Sequence, residues 1–494
     1  MTLIDTSLTY HPHSLVRQAG VEYGLAKTLS GPKLTLLAPS QTALLNAFQG
    51  ECSELDGKTL LVGPLSPENA AALRDRLEWL QPRLLGRTCS AGMGDRIGLA
   101  TPGHVRAVQA VGGIAPIFAQ QSIREMARTG RTAQQVMDDA TWGIFQEGWR
   151  EGVGADADHL KTPADIDVCL AAGYTFFTID PGAQVDQRAE SAGPGELREL
   201  VESLPREIQP DASGLSGKEI DIEGLVIHFD EHTLAKAAVK YGKAIAHVAM
   251  MYRYLDATAG ERPFELEVSV DETEQPTSHA EHFYIASELE RLGVQWVSLA
   301  PRFIGRFEKG VDYIGDINEF ERDFAGHAAI ARHFDGYKLS LHSGSDKFSI
   351  YPIAARLSHG SVHLKTAGTS YLEALRTIAS VDVDFLREIY LFSRQRYAID
   401  RASYHVSAEI AKVGAGLSMG KDGLPDDAHL PMLLDDFHAR EILHVTFGSV
   451  LTEKNTHGQL RFYDRLVSIL RTNSETYAEN LKNHFVRHLS LFAL

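Results

Sequence analysis

The sequence has few cysteines, no excess of basic residues and no long apolar run. Only Cys52, Cys89 and Cys169 occur among its 494 residues, and neither their number nor their spacing suits a disulfide framework or a metal-ligand motif. A reducing cytoplasm is therefore the expected location. The formal net charge of -17 argues against a nucleic-acid or anionic-membrane binder, which needs a basic face. No apolar run is long enough to cross a membrane, and the N-terminal residues do not resemble a signal peptide.

What the sequence does contain is a repeated alternation of strand, polar loop and helix. Eight such strands predict a (β/α)8 barrel of the α/β class. A doubly wound open sheet is the alternative, but no Gly-x-Gly-x-x-Gly turn follows a strand to support it. The predicted strands are Asp95–Ala100, Ala115–Ala119, Gly154–His159, Phe176–Asp180, Glu265–Glu272, Val297–Arg302, Lys338–Lys347 and Ser361–Thr366.

Three regions are predicted along the chain. Residues 1–85 form a small N-terminal α/β unit, and residues 86–375 form the barrel. A charged segment rich in glycine, proline and serine interrupts the repeat at about 183–262 and is interpreted as an insertion after the fourth strand. Residues 376–494 are predicted to be helical and to pack on the barrel.

Polar side chains cluster where these strands end, and in a barrel the carboxyl ends of the strands carry the active site. His159 and His342 each end a strand beside carboxylates, a combination that suits a divalent metal with open coordination positions. Each histidine could equally be a hydrogen-bonded structural residue. Glu267 shares an inward-facing parity with Asp271, so it is either half of a buried ion pair or a general acid or base.

The other polar strand ends suggest substrate binding. Arg302 could hold a substrate carboxylate in a fork geometry, although structural pairing explains it equally well. Gln120, Asp271 and Lys365 complete the predicted substrate-binding set. No serine lies in a nucleophile elbow and no cysteine has an evident base partner, so nucleophilic hydrolysis fits poorly.

Seven motifs resemble those of the tagaturonate/fructuronate epimerases. The similarity extends from about residue 85 to the C-terminus, and ungapped motifs of this length are specific. The motifs occupy Gly94–Gly98, Phe118–Glu125, Asp139–Gly143, Gly154–His159, Val268–Glu274, Ser340–Lys347 and Lys365–Glu373.

This resemblance implies an enzyme that depends on a divalent metal (Zn, Mn, Co, Ni or Fe) and uses no nicotinamide or phosphate cofactor. It implies interconversion of D-tagaturonate and D-fructuronate, and members are also described as converting D-fructose to D-tagatose. Carried over motif by motif, it makes His159, His342 and Glu308 the metal ligands, and Asp158 and Glu267 the acid/base pair. The expected partner is a small sugar or sugar acid, with no nucleic acid and no membrane; a homo-oligomer is left open.

Two mechanisms fit such a reaction. The two uronates differ at a carbinol carbon β to the ketone, whose hydrogen the carbonyl does not acidify. Retro-aldol cleavage followed by recombination is the favoured hypothesis, and direct proton exchange between two carboxylates is the second. A metal-dependent ketose isomerase or aldolase, and a sugar-binding barrel without turnover, are the alternative functions.

Overall fold

The computed structural model describes residue 4 and residues 7–28, 31–40, 42–366, 368–418, 420 and 424–492. Ala367, inside the last of the seven motifs, lies outside the described residues. The strands are β1 Thr9–Tyr10, β2 Val16–Gln18, β3 Val21–Thr28, β4 Gly31–Pro39, β5 Glu51–Leu55, β6 Lys58–Gly63, β7 Ser90–Gly92, β8 Ala115–Ser122, β9 Gly154–Leu160, β10 Phe176–Ile179, β11 Glu219–Ile222, β12 Leu225–His228, β13 Glu265–Ser269, β14 Ser298–Ala300, β15 Lys338–Leu341 and β16 Val362–Lys365.

The α-helices pack around and beyond these strands. They are α1 Pro67–Arg76, α2 Thr101–Val111, α3 Ile123–Thr129, α4 Ala133–Glu147, α5 Pro163–Ala171, α6 Pro194–Glu202, α7 Glu231–Ala259, α8 His279–Arg291, α9 Ile317–His333, α10 Tyr351–Leu357, α11 Thr369–Val381, α12 Val383–Asp400, α13 Phe437–Val445, α14 Phe447–Thr452, α15 Tyr463–Thr472 and α16 Ser474–Leu489. None of the helices described is both long and apolar enough to cross a membrane.

Eight parallel strands close into a barrel in the order β10-β13-β14-β15-β16-β7-β8-β9, which confirms the predicted (β/α)8 fold. Alternation along β13 shows why the strands build this shape. Leu266 and Val268 belong to the apolar layer, whereas Glu265, Glu267 and Ser269 have the opposite parity. The barrel lumen therefore receives polar side chains, and the layer between strands and helices is hydrophobic.

The first barrel strand is Ser90–Gly92, so the prediction of a strand at Asp95–Ala100 is wrong. The Asp95 carboxylate explains the difference. It accepts hydrogen bonds from the backbone N–H groups of Ile97, Gly98 and Ala100, and Gly98 has a left-handed φ of +89°. A side chain that bonds its own following backbone competes with strand pairing, so this segment is a tight loop leading into α2.

The remaining elements extend the barrel at both ends of the chain. The N-terminal region is an antiparallel sheet of β1–β6 with helix α1. Between β10 and β13 the chain forms α6, the β11–β12 hairpin and the long helix α7. After the barrel, α11–α16 follow, and α16 packs against α2 and α11.

Candidate active site

A β-bulge at the end of β9 sets the position of His159. Pairing with β10 advances from Phe177 opposite Ala157 to Ile179 opposite Leu160, so β9 holds one extra residue at this point. His159 adopts a left-handed φ of +57°, which is uncommon outside glycine. Its Nδ1 lies 2.7 Å from Asp158 Oδ1. The bulge therefore directs two consecutive side chains, Asp158 and His159, toward the same end of the barrel.

His342, just after β15, lies between two carboxylates supplied by the β13 segment. Its Nε2 is 2.7 Å from Glu267 Oε1, and its Nδ1 is 2.9 Å from Asp271 Oδ1. Asp271 Oδ1 also lies 4.0 Å from His159 Nε2. The three segments thus converge on one polar centre, with the two imidazole rings 4.9 Å apart.

Lys365, the last residue of β16, connects the carboxylates beneath this centre. Its ammonium lies 2.9 Å from Asp156, 2.6 Å from Asp158 and 2.9 Å from Glu267. It also donates to Thr178 Oγ1 at 2.6 Å. Lys365 therefore neutralises part of a buried acidic cluster, whose carboxylates would repel one another without it.

The pKa values follow from these contacts. Burial opposes the charged form of Lys365, but its three carboxylate neighbours raise its pKa well above the ordinary value. Burial likewise acts against a charged His342, yet Asp271 and Glu267 raise its pKa to about 10. Burial raises the pKa of Asp156 to about 6 despite Lys365. The centre therefore holds strongly bound positive charge next to carboxylates.

Donor chemistry at this centre fits a divalent cation. One ligand atom each from His159, Asp271 and His342 lies within 4.8 Å of the other two. On each ring, one nitrogen is hydrogen-bonded to a carboxylate outside this set of three. His159 Nδ1 bonds Asp158, and His342 Nε2 bonds Glu267. Metal-bound histidines typically bond a carboxylate through the nitrogen that faces away from the ion. These residues could therefore hold a metal with the two carboxylates orienting the rings.

Two other described His/Asp groups fit a cation less well. In the group of Asp346, His484 and His488, His488 Nε2 accepts the backbone N–H of Asp346 and has no lone pair free. In the group formed with Asp323 and His327, His279 Nε2 lies 2.9 Å from the Asp323 carbonyl and is expected to donate to it. Neither group lines the pocket described next.

A cavity of about 630 Å³, counted up to its open mouth, lies over the polar centre. Its lining includes Asp158, His159, Asp271, His342 and Lys365. It also includes three cations, the cationic wall of Arg96, Arg124 and Lys309, together with Glu125, Glu272, Tyr404 and His444. The lining is thus rich in charged and hydrogen-bonding side chains, as suits a polar, anionic ligand such as a sugar acid.

The three cations of the cationic wall differ in their partners. Arg96 Nε bonds Glu125 at 2.9 Å, and Arg124 bonds Glu272 at 2.8 Å. Lys309 donates to the hydroxyl of Ser343 at 2.6 Å. Burial, and then the nearby charge of Arg124, lower the pKa of Lys309. The wall therefore contains two internally paired arginines and one lysine with a neutral partner.

The structure brings most of the sequence-predicted residues together. Asp158, His159, Asp271, His342 and Lys365 line the cavity with Gln120, whose amide donates to Asp158 Oδ2 at 3.0 Å. Glu267 is fully buried behind them, where Ser298 donates to its Oε2 at 2.6 Å. These positions leave the predicted catalytic, metal-binding and substrate-binding roles as predictions.

Two predicted residues lie apart from this group. Glu308 Oε2 accepts hydrogen bonds from the backbone N–H and the hydroxyl of Ser407, so Asp271 rather than Glu308 completes the set with the two histidines. Arg302 is not among the cavity-lining residues, and its backbone N–H bonds the Thr277 hydroxyl. The cationic wall was missed because Arg124 lies in a helix and Lys309 in a loop, where strand periodicity carries no signal. Arg96 was predicted within a strand that the structure shows to be a loop.

The comparisons with known proteins agree with one another. A model of the tagaturonate epimerase family matches residues 12–492. The tagaturonate/fructuronate epimerase of Thermotoga maritima is 43% identical over 471 residues, which is 95% of this chain and 94% of that protein. The native crystal structure of the fructuronate-tagaturonate epimerase from Cohnella laeviribosi has 38% identity and a TM-score of 0.91, covering 99% of this chain and 97% of that one. The same enzyme complexed with one glycerol has 38% identity and a TM-score of 0.91, covering 98% and 96%.

Proposed function

Since the chain belongs to the tagaturonate epimerase family, we propose that it interconverts D-tagaturonate and D-fructuronate in the cavity at the barrel mouth. The observation that supports this most directly is the convergence of His159, Asp271 and His342 beside the Lys365 carboxylate cluster. Such a centre suits a hydroxy-ketone substrate, because its oxygens can bind a cation and exchange protons with carboxylates.

We propose that His159, Asp271 and His342 hold a divalent metal. When bound, the metal would supply Lewis acidity that acidifies a substrate hydroxyl and stabilises an enediolate. Asp158 and Glu267 then hold the two imidazole rings in orientation through their outer nitrogens. The proposal replaces Glu308 in the predicted ligand set by Asp271.

The proposed reaction is a retro-aldol cleavage. The carbinol O–H proton passes to a carboxylate, the oxygen electron pair forms an aldehyde, and the C–C bond breaks with its electron pair entering the former ketone. The aldehyde turns about its own C–C bond, and the same steps in reverse rebuild the bond on its other face. No atom is gained or lost, and no redox cofactor is needed.

Of the two predicted acid/base carboxylates, Asp158 is the one that reaches the cavity. We propose that it exchanges the carbinol proton. Burial disfavours its ionised form, but Lys365 and His159 hold its pKa well below the ordinary value, so it accepts a proton only from an acidified hydroxyl. Glu267 is buried and bonded to His342, Lys365 and Ser298, which supports a positioning role rather than contact with substrate.

Metal content and product analysis test this proposal together. Wild-type protein reconstituted with each candidate metal is expected to interconvert the two uronates, as followed by NMR. His342→Ala and Asp271→Asn should lose at least about 100-fold in activity and release metal on dialysis, whereas Glu308→Gln should retain metal because its carboxylate bonds Ser407. Metal retention and full activity in His342→Ala would sink the site assignment.

A solvent-isotope experiment separates the two mechanisms. In a retro-aldol reaction the carbinol hydrogen stays on carbon and becomes the aldehyde hydrogen, so turnover in D₂O leaves that position protonated. Proton exchange between two carboxylates would introduce deuterium there. Trapping of a three-carbon aldehyde provides a second measurement. Appearance of an aldose, or net cleavage without epimerisation, would instead indicate a ketose isomerase or an aldolase.

A further inference from the structure

We propose that the Lys309 ammonium is the binding point for the substrate carboxylate and makes the cavity selective for a sugar acid over a neutral ketose. This inference rests on the proposed function and extends it to the carboxylate end of the substrate. Lys309 lines the same cavity as His159 and His342, and its ammonium bonds Ser343, the residue that follows His342.

Charge pairing on the cationic wall singles out Lys309. The carboxylates of that wall are already used, Glu125 by Arg96 and Glu272 by Arg124. Among the described residues, Lys309 makes no ion pair; its ammonium donates to the Ser343 hydroxyl at 2.6 Å, and Glu125 and Glu272 act on its charge only from beyond contact distance. A largely buried cation without a directly bound counter-ion gains from a ligand that supplies the negative charge.

The backbone on both sides of Lys309 is held by cations that do not enter the wall. Lys347 Nζ donates to the Glu308 carbonyl at 2.7 Å, and Arg440 Nε donates to the Gly310 carbonyl at 2.6 Å. Ser343, which accepts from Lys309, has a left-handed φ of +49°. A non-glycine residue in that conformation is kept there by its surroundings, so the lysine is positioned in advance of binding.

The cavity therefore offers two kinds of group to one ligand: the imidazoles and carboxylates of the reaction centre, and a lysine that makes no ion pair of its own. A 2-ketohexuronate has two matching ends, because its keto-hydroxyl end chelates cations and its other end is a carboxylate. Retro-aldol cleavage leaves that carboxylate on the aldehyde fragment. An anchor at Lys309 would hold this fragment while its carbonyl turns, and would keep it from leaving between cleavage and recombination.

The test measures the contribution of the carboxylate to binding, independently of turnover. Two unreactive ligands serve as probes: the hexonate obtained by reducing the ketone of tagaturonate, and the hexitol of the same configuration. Their dissociation constants are measured by calorimetry on metal-reconstituted wild type, Lys309→Met and Lys309→Arg. The matched control is Lys161→Met, because Lys161 follows β9 at the same end of the barrel but pairs with Asp180 at 3.1 Å and does not line the cavity.

Wild type and Lys161→Met should prefer the hexonate by about 100-fold, as expected for a desolvated charge pair. In Lys309→Met the preference should fall to within about threefold of unity, and Lys309→Arg should recover part of it. The kcat/KM for uronates should drop by a similar factor in Lys309→Met. An unchanged hexonate preference in Lys309→Met would overturn the inference.

These outcomes remain separate from the proposed function. Wild type that binds the hexonate through Lys309 but never epimerises uronates would refute the proposed reaction and leave the carboxylate site intact. Wild type that epimerises uronates, with a Lys309→Met variant that keeps its preference for the hexonate, would refute the carboxylate site and leave the proposed reaction intact. Should Lys309→Met fail to fold, Lys309→Gln is measured in its place.

Discussion

Glu441 and Glu308 share one backbone N–H group, and this contact allows a test of stability against pH. Glu441, on α13, accepts the N–H groups of Ser407 at 3.1 Å and Ala408 at 2.7 Å. Glu308 accepts the same Ser407 N–H at 2.9 Å and its hydroxyl at 2.7 Å. Two carboxylates this close cannot both ionise freely, so the pair is expected to hold a proton.

Burial, and then the contact with Glu308, raise the pKa of Glu441 from 4.5 to about 8. A raised pKa means that the folded chain binds more protons than the unfolded chain between these values. The associated stability is therefore fully present below pH 4.5 and is lost as the pH rises through about 8. If the whole pKa shift acted on stability, the free energy of unfolding would change by roughly 5 kcal/mol over this pH interval. Solvent screening and sharing of the proton with Glu308 reduce this change, so we expect roughly 1–2 kcal/mol.

Glu441→Gln removes this titration while keeping an oxygen that can accept the Ser407 and Ala408 N–H groups. From pH 5.5 to pH 8.5, the thermal midpoint of wild type should fall by roughly 1–3 °C more than that of Glu441→Gln, with both measured at one fixed scan rate. Glu409→Gln is the control, because Glu409 lies in the same segment but is exposed and pairs with Lys412. Its curve should run parallel to wild type. Parallel curves for wild type and Glu441→Gln would refute the shared proton.

Two further substitutions test the interior of the barrel. Glu265→Ala should lower the free energy of unfolding by roughly 2–3 kcal/mol, measured in denaturant, because Glu265 accepts the backbone N–H groups of Leu85 and Gly86. The kcat should not change. A changed kcat with unchanged stability would contradict this structural role. Lys365→Met should lower the free energy of unfolding by roughly 3–5 kcal/mol, because it leaves buried carboxylates without their cation. Adding Asp156→Asn to that variant should restore part of the lost stability. Equal stability of the single and double variants would contradict the proposed charge balance.

The barrel could be predicted because it depends on periodic patterns, and the exact strand ends could not. Eight alternating segments gave the correct fold, yet Asp95 turned a predicted strand into a loop through three local hydrogen bonds. The predicted strand Lys338–Lys347 ends at Leu341 for a related reason, because Ser343 and Asp346 adopt left-handed backbone angles. Competition between a side chain and the backbone ladder is a local event that a period-two pattern does not encode.

Site residues on strand ends were accessible to sequence reasoning, whereas partners supplied by loops were not. His159 and His342 were predicted because each ends a strand, and the structure places them 4.9 Å apart, ring to ring. Glu308 follows β14 by eight residues of irregular chain, and its direction is set by Ser407 in the C-terminal region. A contact that spans 99 residues along the chain has no local signature. Lys309, its neighbour, escaped prediction for the same reason.

Depth along the strand decides which inward-facing carboxylate can act on a ligand. Glu265, Glu267 and Asp271 share one parity, but at about 3.3 Å per residue they span roughly 20 Å, the height of the barrel. Glu265 reaches backbone N–H groups at the closed end, and Glu267 reaches Lys365 and His342 Nε2 in the middle. Asp271 reaches His342 Nδ1 at the mouth, where it is also the carboxylate that lies near His159 Nε2. From their alternation in the sequence, all three carboxylates are predicted to point into the barrel, and nothing in that pattern distinguishes their roles. Because parallel strands place their carboxyl ends at one face, the residue nearest that end is the one expected to meet substrate, and this is the reason for assigning the metal-binding carboxylate to Asp271.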